Sequence, residues 1–197
     1  CKRHGYNFSH SLAIENHTEA QVLIAMLPKD ALTKTMIRQG IDALNAVSVS
    51  LERLKTEMRS LAAQLPEYLV VMAMRGVGDS LGPQLMAKLG DVTRFTHRNA
   101  ITAFAGVYPS ADQSGTHEAK STKTSKSGPP ELRKALFMVM DCLLKTRPED
   151  DPVYRFIDKK RAEGKPYLVY MTAGANKFLR IYHGRVKEYL ASLENAD

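Results

Sequence analysis

Ser114 is the residue of this sequence whose type and setting best suit covalent chemistry. It stands in Gln113-Ser114-Gly115, inside the stretch 109–130 that has no apolar periodicity. A stretch of this length without periodicity inside a domain is usually functional or disordered. Serine is a weak nucleophile unless a neighbour activates it, and no G-x-S-x-G elbow or evident hydrolase triad surrounds Ser114. A catalytic loop over 109–130 with Ser114 as its nucleophile is therefore one hypothesis, and a serine in an ordinary loop is the other.

Four cations accompany this serine and indicate the substrate. Lys120, Lys123 and Lys126 lie in the loop, and Arg133 follows it. Cations stabilise the charge that develops on the non-bridging oxygens of a scissile phosphate. The pattern favours attack on phosphorus and predicts that all four residues bind phosphate, with Lys126 and Arg133 at the reacting group. The residues alone leave another interpretation open, namely an ordinary Gln-Ser-Gly turn beside a solvated charge run.

A second motif, Met74-Arg75-Gly76-Val77-Gly78, predicts a helix-hairpin-helix over 66–90. We expect one helix from Pro66 to about Met74, and another that Asp79 or Ser80 caps and Gly90 ends. Such a turn presents backbone N–H groups beside a helix N-terminus, where they suit a phosphate. Gly76 and Gly78 are therefore predicted to bind a nucleic-acid backbone without reading bases. The alternative is a glycine-rich turn between two core helices. The residues expected to pack the two helices together are Leu69, Val70, Val77, Leu81, Leu85 and Leu89.

The segment 30–66 predicts one long helix with a narrow apolar stripe, beginning at Asp30 as the cap. The stripe follows a heptad pattern with one irregular step. Its members are Ile37, Ile41, Leu44, Val47, Leu51, Leu54, Met58, Leu61 and Leu65. A stripe of this kind needs a partner, so we predict a coiled coil that forms a homodimer. One arm of an intramolecular bundle is the alternative.

The rest of the chain reads as a compact helical domain, so the predicted fold class is all-α. Further helices are expected from Pro130, from Asp151-Pro152 to Gly164, and over about 166–193. Residues 1–29 read as a linker or the remnant of another domain. Because the chain starts at Cys1 and not at methionine, we expect it to be the carboxy-terminal part of a longer protein.

Composition restricts the partners and cofactors. The chain of 197 residues has 28 Lys+Arg against 21 Asp+Glu, a net charge of +7, which favours a polyanionic partner. The two cysteines and six histidines have no metal-ligand spacing, so we predict no metal or cofactor in this chain. No apolar stretch is long enough to cross a membrane, and no signal peptide is apparent, so we expect a cytoplasmic protein without membrane contact.

The ordered series of motifs resembles the carboxy-terminal transposase domain of the insertion sequence 110 family, the bridge-RNA-guided recombinases. The resemblance covers about residues 67–185. Pro129 departs from the family, which usually has Asn after the glycine of the third motif. The matching elements are Gly76-Val77-Gly78, Leu89-Gly90-Asp91 with Phe95, Ala105-Gly106-Val107-Tyr108-Pro109, Gln113-Ser114-Gly115, Ser125-Lys126-Ser127-Gly128, Leu132-Arg133 and Gly164-Lys165.

This resemblance implies a DNA transposase or recombinase whose Ser114 joins covalently to DNA. It implies a bacterial, nucleoid-associated protein and a structured guide RNA as a partner beside DNA. It also implies a RuvC-like nuclease domain, outside this chain, whose four acidic residues bind Mg²⁺. The alternative function is a noncatalytic helix-hairpin-helix module that binds nucleic acid on a coiled-coil dimer. A coiled-coil interaction protein that binds no nucleic acid is the third hypothesis.

Overall fold

The computed structural model describes residues 31–108, 113–114, 117–118 and 127–195. The chain divides into two units, residues 1–58 and 59–197. The described part of the first unit lies entirely in helix α1, Ala31–Ala62, which has 32 residues and a length of about 48 Å at 1.5 Å per residue. Helix α1 occupies almost all of the predicted 30–66 segment and ends a few residues before its predicted end.

The apolar stripe of α1 is open to solvent. Leu44, Val47 and Leu54 are 55%, 66% and 62% exposed, whereas a core position would be almost completely covered. Ion pairs hold other positions of the helix, with Lys55 Nζ 2.6 Å from Glu52 Oε1. Among the described residues, nothing covers these three positions of the stripe, and the homodimer stays a prediction.

The second unit is built from helices, with one very short pair of strands, as the all-α prediction anticipates. After α1, its elements are α2 Tyr68–Met72, α3 Leu81–Leu89, a 3₁₀ turn Val92–Arg94, α4 Arg98–Phe104, β1 Gln113–Ser114, β2 His117–Glu118, α5 Pro130–Thr146, α6 Pro152–Ala162 and α7 Tyr167–Glu194. The strands β1 and β2 are antiparallel. The two-residue strands were not predicted, because a pair this short leaves no alternating apolar pattern.

Helix α7 is the centre of this unit. It packs against α2, α4, α5, α6 and the 3₁₀ turn, and buries Met171, Phe178 and Tyr182 completely or nearly so. Gly174 lets α6 come close, because a Cβ there would lie 2.6 Å from Ile157 Cγ1. The helix predicted to start at Pro130 is α5, and its Leu132, Leu136, Met140 and Leu143 are fully buried.

One helix start and one helix end were predicted correctly, and one predicted cap was wrong. Asp151 caps α6, with its carboxylate accepting the backbone N–H groups of Val153 and Tyr154 at 2.8 Å each. Gly90 ends α3 with a φ of +61°. Ser80 stands at the start of α3, but its side chain makes no capping bond. Its hydroxyl instead accepts the side-chain amide of Gln84 at 3.1 Å.

One predicted packing residue between the helices of the hairpin is also corrected. Leu69 is 71% exposed, because the five-residue helix α2, Tyr68–Met72, turns Val71 and not Leu69 toward the core. Val77, Leu85 and Leu89 are buried as expected. The first helix of the hairpin is therefore shorter than predicted and begins at Tyr68, two residues after Pro66.

Candidate functional site

The described residues on either side of the stretch that carries Ser114 meet at one place, which we call the loop base: Phe104–Gly106 on one side and Gly128 on the other. A Cβ on Gly128 would lie 1.9 Å from the carbonyl oxygen of Phe104 and 2.9 Å from the backbone nitrogen of Gly106. No side chain fits in that space. The glycine of the third motif thus has a packing role, holding the end of the loop against the end of α4.

Arg133 closes the loop base from the start of α5. Its guanidinium donates a hydrogen bond to the carbonyl oxygen of Gly128, and its side chain is half-buried. Of the four cations predicted to bind phosphate, this is the one that the structure describes, because Lys120, Lys123 and Lys126 lie outside the described residues. Arg133 therefore has a structural partner, while an arginine retains further N–H donors for a second one.

Residues far apart in the sequence hold the incoming side of the loop. The side-chain amide of Asn176 on α7 donates to the carbonyl oxygen of Val107 at 3.2 Å. His183 Nε2 lies 3.0 Å from the carbonyl oxygen of Phe95. The Arg94 guanidinium lies 4.6 Å and 4.5 Å from the ring centroids of Phe95 and Phe104, which is within the range of cation–π attraction. The entrance to the loop is consequently fixed to the core.

Asp91, from the second matching motif, orders the turn that precedes these contacts. Its carboxylate accepts the backbone N–H of Thr93 at 2.8 Å and the Thr93 hydroxyl at 2.7 Å. The side-chain hydrogen bond from Thr93 lowers the pKa of Asp91 below its ordinary value. This carboxylate is a cap of the 3₁₀ turn, and its bonds explain its place in the motif without a ligand.

Ser114 lies in strand β1, and the register pairs it with His117 in β2. The structure describes the backbone of these residues and not their side chains. His117 carries no local signal of a catalytic role, because a histidine three residues from a serine is not a hydrolase signature. The backbone register brings together a serine and a residue type that commonly serves as a general base.

The two glycines of the hairpin differ in their surroundings. Gly76 has a φ of +78°, and a Cβ there would lie 3.0 Å from both Leu143 Cγ and the carbonyl oxygen of Val139. Close packing against α5 explains this glycine. Gly78 is exposed and a Cβ there would meet nothing within 4 Å, so its backbone is accessible. Phosphate contact by either glycine stays a prediction.

The fold also brings together cations that the sequence separates. Lys160 Nζ on α6 and Lys177 Nζ on α7 lie 5.1 Å and 4.7 Å from the ring centroid of Phe156. No ion pair with a carboxylate holds either ammonium group among the described residues. Lys160 belongs to a basic run visible in the sequence, but Lys177 joins it only through the packing of α6 on α7.

The described residues contain neither a metal-binding cluster nor a membrane-spanning helix. No three histidine, cysteine, aspartate or glutamate side chains there lie close enough together to hold a metal ion. None of the helices in the described ranges has an apolar span sufficient to cross a membrane.

Comparison with known proteins places the loop and its base inside a recognised domain. Residues 68–155 match the model of the transposase IS116/IS110/IS902 family. The chain is similar to the pilin gene-inverting proteins of Moraxella bovis and Moraxella lacunata, with 23% identity to each over 176 residues. The match covers 87% of this chain and 54% of each relative, so the chain spans about half the length of these curated relatives. These similarities support a transposase or recombinase domain.

Proposed function

We propose that this chain is the part of a DNA transposase or recombinase that joins covalently to a DNA strand through Ser114. The observation that carries the proposal is the match of residues 68–155 to a transposase family model, a range that includes Ser114 and the whole loop base. The names of the two Moraxella relatives denote inversion of a gene, which is a DNA rearrangement. In a DNA rearrangement, the bond that a nucleophilic serine would attack is a phosphodiester.

In the proposed step, the Ser114 hydroxyl oxygen attacks the phosphorus of a scissile phosphodiester. A phosphorus–oxygen bond to serine forms, the bond to one deoxyribose oxygen breaks, and that oxygen leaves as a hydroxyl after taking up a proton. His117, its register partner, is the proposed acceptor of the serine proton. Attack by a hydroxyl of another strand reverses these events. The number of phosphodiester bonds is conserved, so the exchange needs no ATP.

The geometry of the loop base supports this role. A nucleophile on a loop must be positioned by a rigid scaffold, and Gly128, Arg133 and Asn176 fix the two ends of the loop to α4, α5 and α7. Lys120, Lys123, Lys126 and Arg133 are the proposed phosphate-binding cations.

The nucleic-acid interface extends, in this proposal, to the α6–α7 cation pair and to the hairpin. Lys160 and Lys177 both lie over the ring of Phe156 without a carboxylate partner among the described residues, and the net charge of +7 favours a polyanion. A structured guide RNA, a homodimer through α1, and Mg²⁺ bound by a further nuclease domain belong to the same proposal. They rest on the family resemblance and on the uncovered stripe of α1.

The alternative is a noncatalytic helix-hairpin-helix module that binds nucleic acid on a coiled-coil dimer. The accessible backbone of Gly78 at the start of a nine-residue helix favours this reading of the hairpin. Both hypotheses expect salt-sensitive DNA binding, so binding alone does not separate them.

Adduct mapping separates the two hypotheses. The protein carrying this chain at full length is incubated with its RNA and DNA, trapped adducts are digested, and the modified residue is mapped by mass spectrometry. We expect an adduct on Ser114 that is lost in Ser114→Ala and retained in Ser125→Ala, a matched serine of the same loop. His117→Ala should slow adduct formation, and the difference from wild type should shrink at low pH, where a protonated imidazole cannot accept the serine proton. Intact DNA binding with no adduct on any serine contradicts the catalytic proposal and supports the alternative.

A further inference from the structure

A shallow groove of about 400 Å³ lies between α5 and the first turn of α7. Its floor is formed by neighbouring rows of α5, because residues four apart share a helix face. One row contains Arg133, Phe137 and Asp141, and the other contains Lys134 and Met138. Tyr167 forms the wall. The groove begins at Pro130, next to the loop base, and so lies beside the proposed catalytic loop.

The groove has an apolar, aromatic side and a cationic end. Tyr167 and Met138 are 51% and 48% exposed, an unusual degree for large apolar groups that line one concavity. The Tyr167 ring is supported from behind by Tyr170, with centroids 5.4 Å apart and an edge-to-face angle of 80°. Partial burial raises the pKa of Tyr167, and Asp141 adds to that effect, so the ring stays neutral at physiological pH.

The charges in the groove are arranged along its length. Arg133 and Lys134 lie in the first turns of α5, where the helix dipole adds partial positive charge. Asp141 lies two turns further on, and Lys145 Nζ approaches its carboxylate at 3.6 Å. Among the described residues, Arg133 and Lys134 form no ion pair. An anionic group therefore fits the end near the loop base, and a flat apolar group fits the end at Tyr167.

We propose that this groove binds a nucleotide of single-stranded or unpaired nucleic acid, with the base stacked on Tyr167 and its phosphate at Arg133 and Lys134. The proposal rests on the proposed function, since it assigns a subsite to the same nucleic-acid partner. A base inside a duplex keeps both faces stacked on its neighbours, so only an unpaired base offers a face to the ring. The phosphate end adjoins the loop base, which places the bound strand next to the loop that carries Ser114.

The subsite is tested with the 197-residue chain and fluorescent oligonucleotides. A single-stranded DNA, a single-stranded RNA and the corresponding duplex, each with 2-aminopurine at one position, are titrated at a fixed salt concentration. Tyr167→Leu keeps an apolar side chain and removes the ring, whereas Tyr167→Phe keeps the ring. Tyr189→Leu is the matched control, because Tyr189 is a half-buried tyrosine of the same helix, outside the groove.

The expected result is selective for the strand and for the ring. Tyr167→Leu should weaken single-strand binding by roughly 5- to 150-fold, the range for losing one stacked base, and abolish the 2-aminopurine fluorescence change. Tyr167→Phe and Tyr189→Leu should behave as wild type, and duplex affinity should stay unchanged in all variants. The DNA and RNA arms show which strand the groove prefers, and a response in either supports the proposal.

Three outcomes overturn it. Unchanged single-strand affinity in Tyr167→Leu shows that the ring does not stack on a base, and leaves a protein partner as the occupant of the groove. Equal losses for single strand and duplex, with a lowered melting temperature, show that Tyr167 acts on folding alone. Failure of wild type to bind any of the three nucleic acids contradicts the proposed function as well, which distinguishes that failure from a failure of the subsite.

Discussion

Gly128→Ala is the sharpest test of the loop base, because the substitution adds one methyl group at a place where backbone already stands. The new Cβ would lie 1.9 Å from the carbonyl oxygen of Phe104, whereas such contacts are essentially never shorter than 3.0 Å. Either the end of α4 or the end of the loop must move by about 1 Å. Overpacking of this kind costs about 1–3 kcal/mol, and the shift also strains the hydrogen bond from Arg133 to Gly128.

Gly78→Ala is the matched control. A Cβ at Gly78 would meet nothing within 4 Å, and its φ does not lie in the left-handed region. Alanine there restricts the unfolded chain and should be neutral or stabilising by about 0.4–1 kcal/mol. The two variants therefore make the same chemical change with opposite expected signs.

Urea unfolding followed by circular dichroism at 222 nm measures both variants. We expect the midpoint of Gly128→Ala to fall and that of Gly78→Ala to stay or rise. In a thermal scan, each 1 kcal/mol corresponds to roughly 2–4 °C for a chain of this size. Equal midpoints for the two variants would refute the close approach of Gly128 to α4, and with it the loop base.

Three further predictions concern a helix cap, a buried phenol and the basic face. Asp151→Ala removes the cap of α6 and should lower the free energy of unfolding in urea by about 1 kcal/mol. The control Asp150→Ala removes an exposed ion pair and should cost between about 0 and 1 kcal/mol. An equal or larger loss in Asp150→Ala would contradict the capping role. Burial, with a smaller contribution from Glu67, raises the pKa of Tyr182 above its ordinary value of 10.0, so the unfolded phenol ionises first as the pH rises past that value. The free energy of unfolding should keep its full value below that pH and decline above it, and the decline should be shallower in Tyr182→Phe. Parallel pH profiles of the unfolding midpoint for the two proteins would count against this assignment. Lys177→Gln should lower the magnitude of the slope of log affinity against log salt concentration for duplex DNA by about 1. The control Lys55→Gln changes a lysine that forms an ion pair within α1 and should leave the slope unchanged. An unaltered slope in Lys177→Gln removes that residue from the interface.

Local signals in the sequence were sufficient for most helix boundaries. Asp151 followed by Pro152 is a short-range signal for a helix start, and Gly90 after Leu89 is one for a helix end. The structure confirms both. Leu69 was misplaced because α2 is only five residues long, and so short a helix does not define a buried face by periodicity. Ser80 was misplaced because a residue type suited to capping does not determine where its hydroxyl points.

The candidate site was less predictable, because its parts meet through tertiary packing. Arg133 was selected for its charge, but its bond to Gly128 depends on how the loop returns to α4. Asn176 and Lys177 gave no local signal, since Asn176 bonds Val107 beyond the end of α4 and Lys177 lies over Phe156 of α6. The register partner of Ser114, His117, depends on a strand pair of two residues per strand, which is too short to be seen in a hydrophobic pattern.

Because the two ends of the loop meet at the loop base, the loop can be replaced by another one without changing the core. Since Phe104–Gly106 and Gly128 are already in contact, the core does not depend on how many residues connect them. Doubling the length of a flexible loop costs only about 0.6 kcal/mol of closure entropy, which a domain of this size can tolerate. Loops of other lengths and charges can therefore be grafted between these two anchors, so that the chemistry of this scaffold can diversify while its folding stays the same.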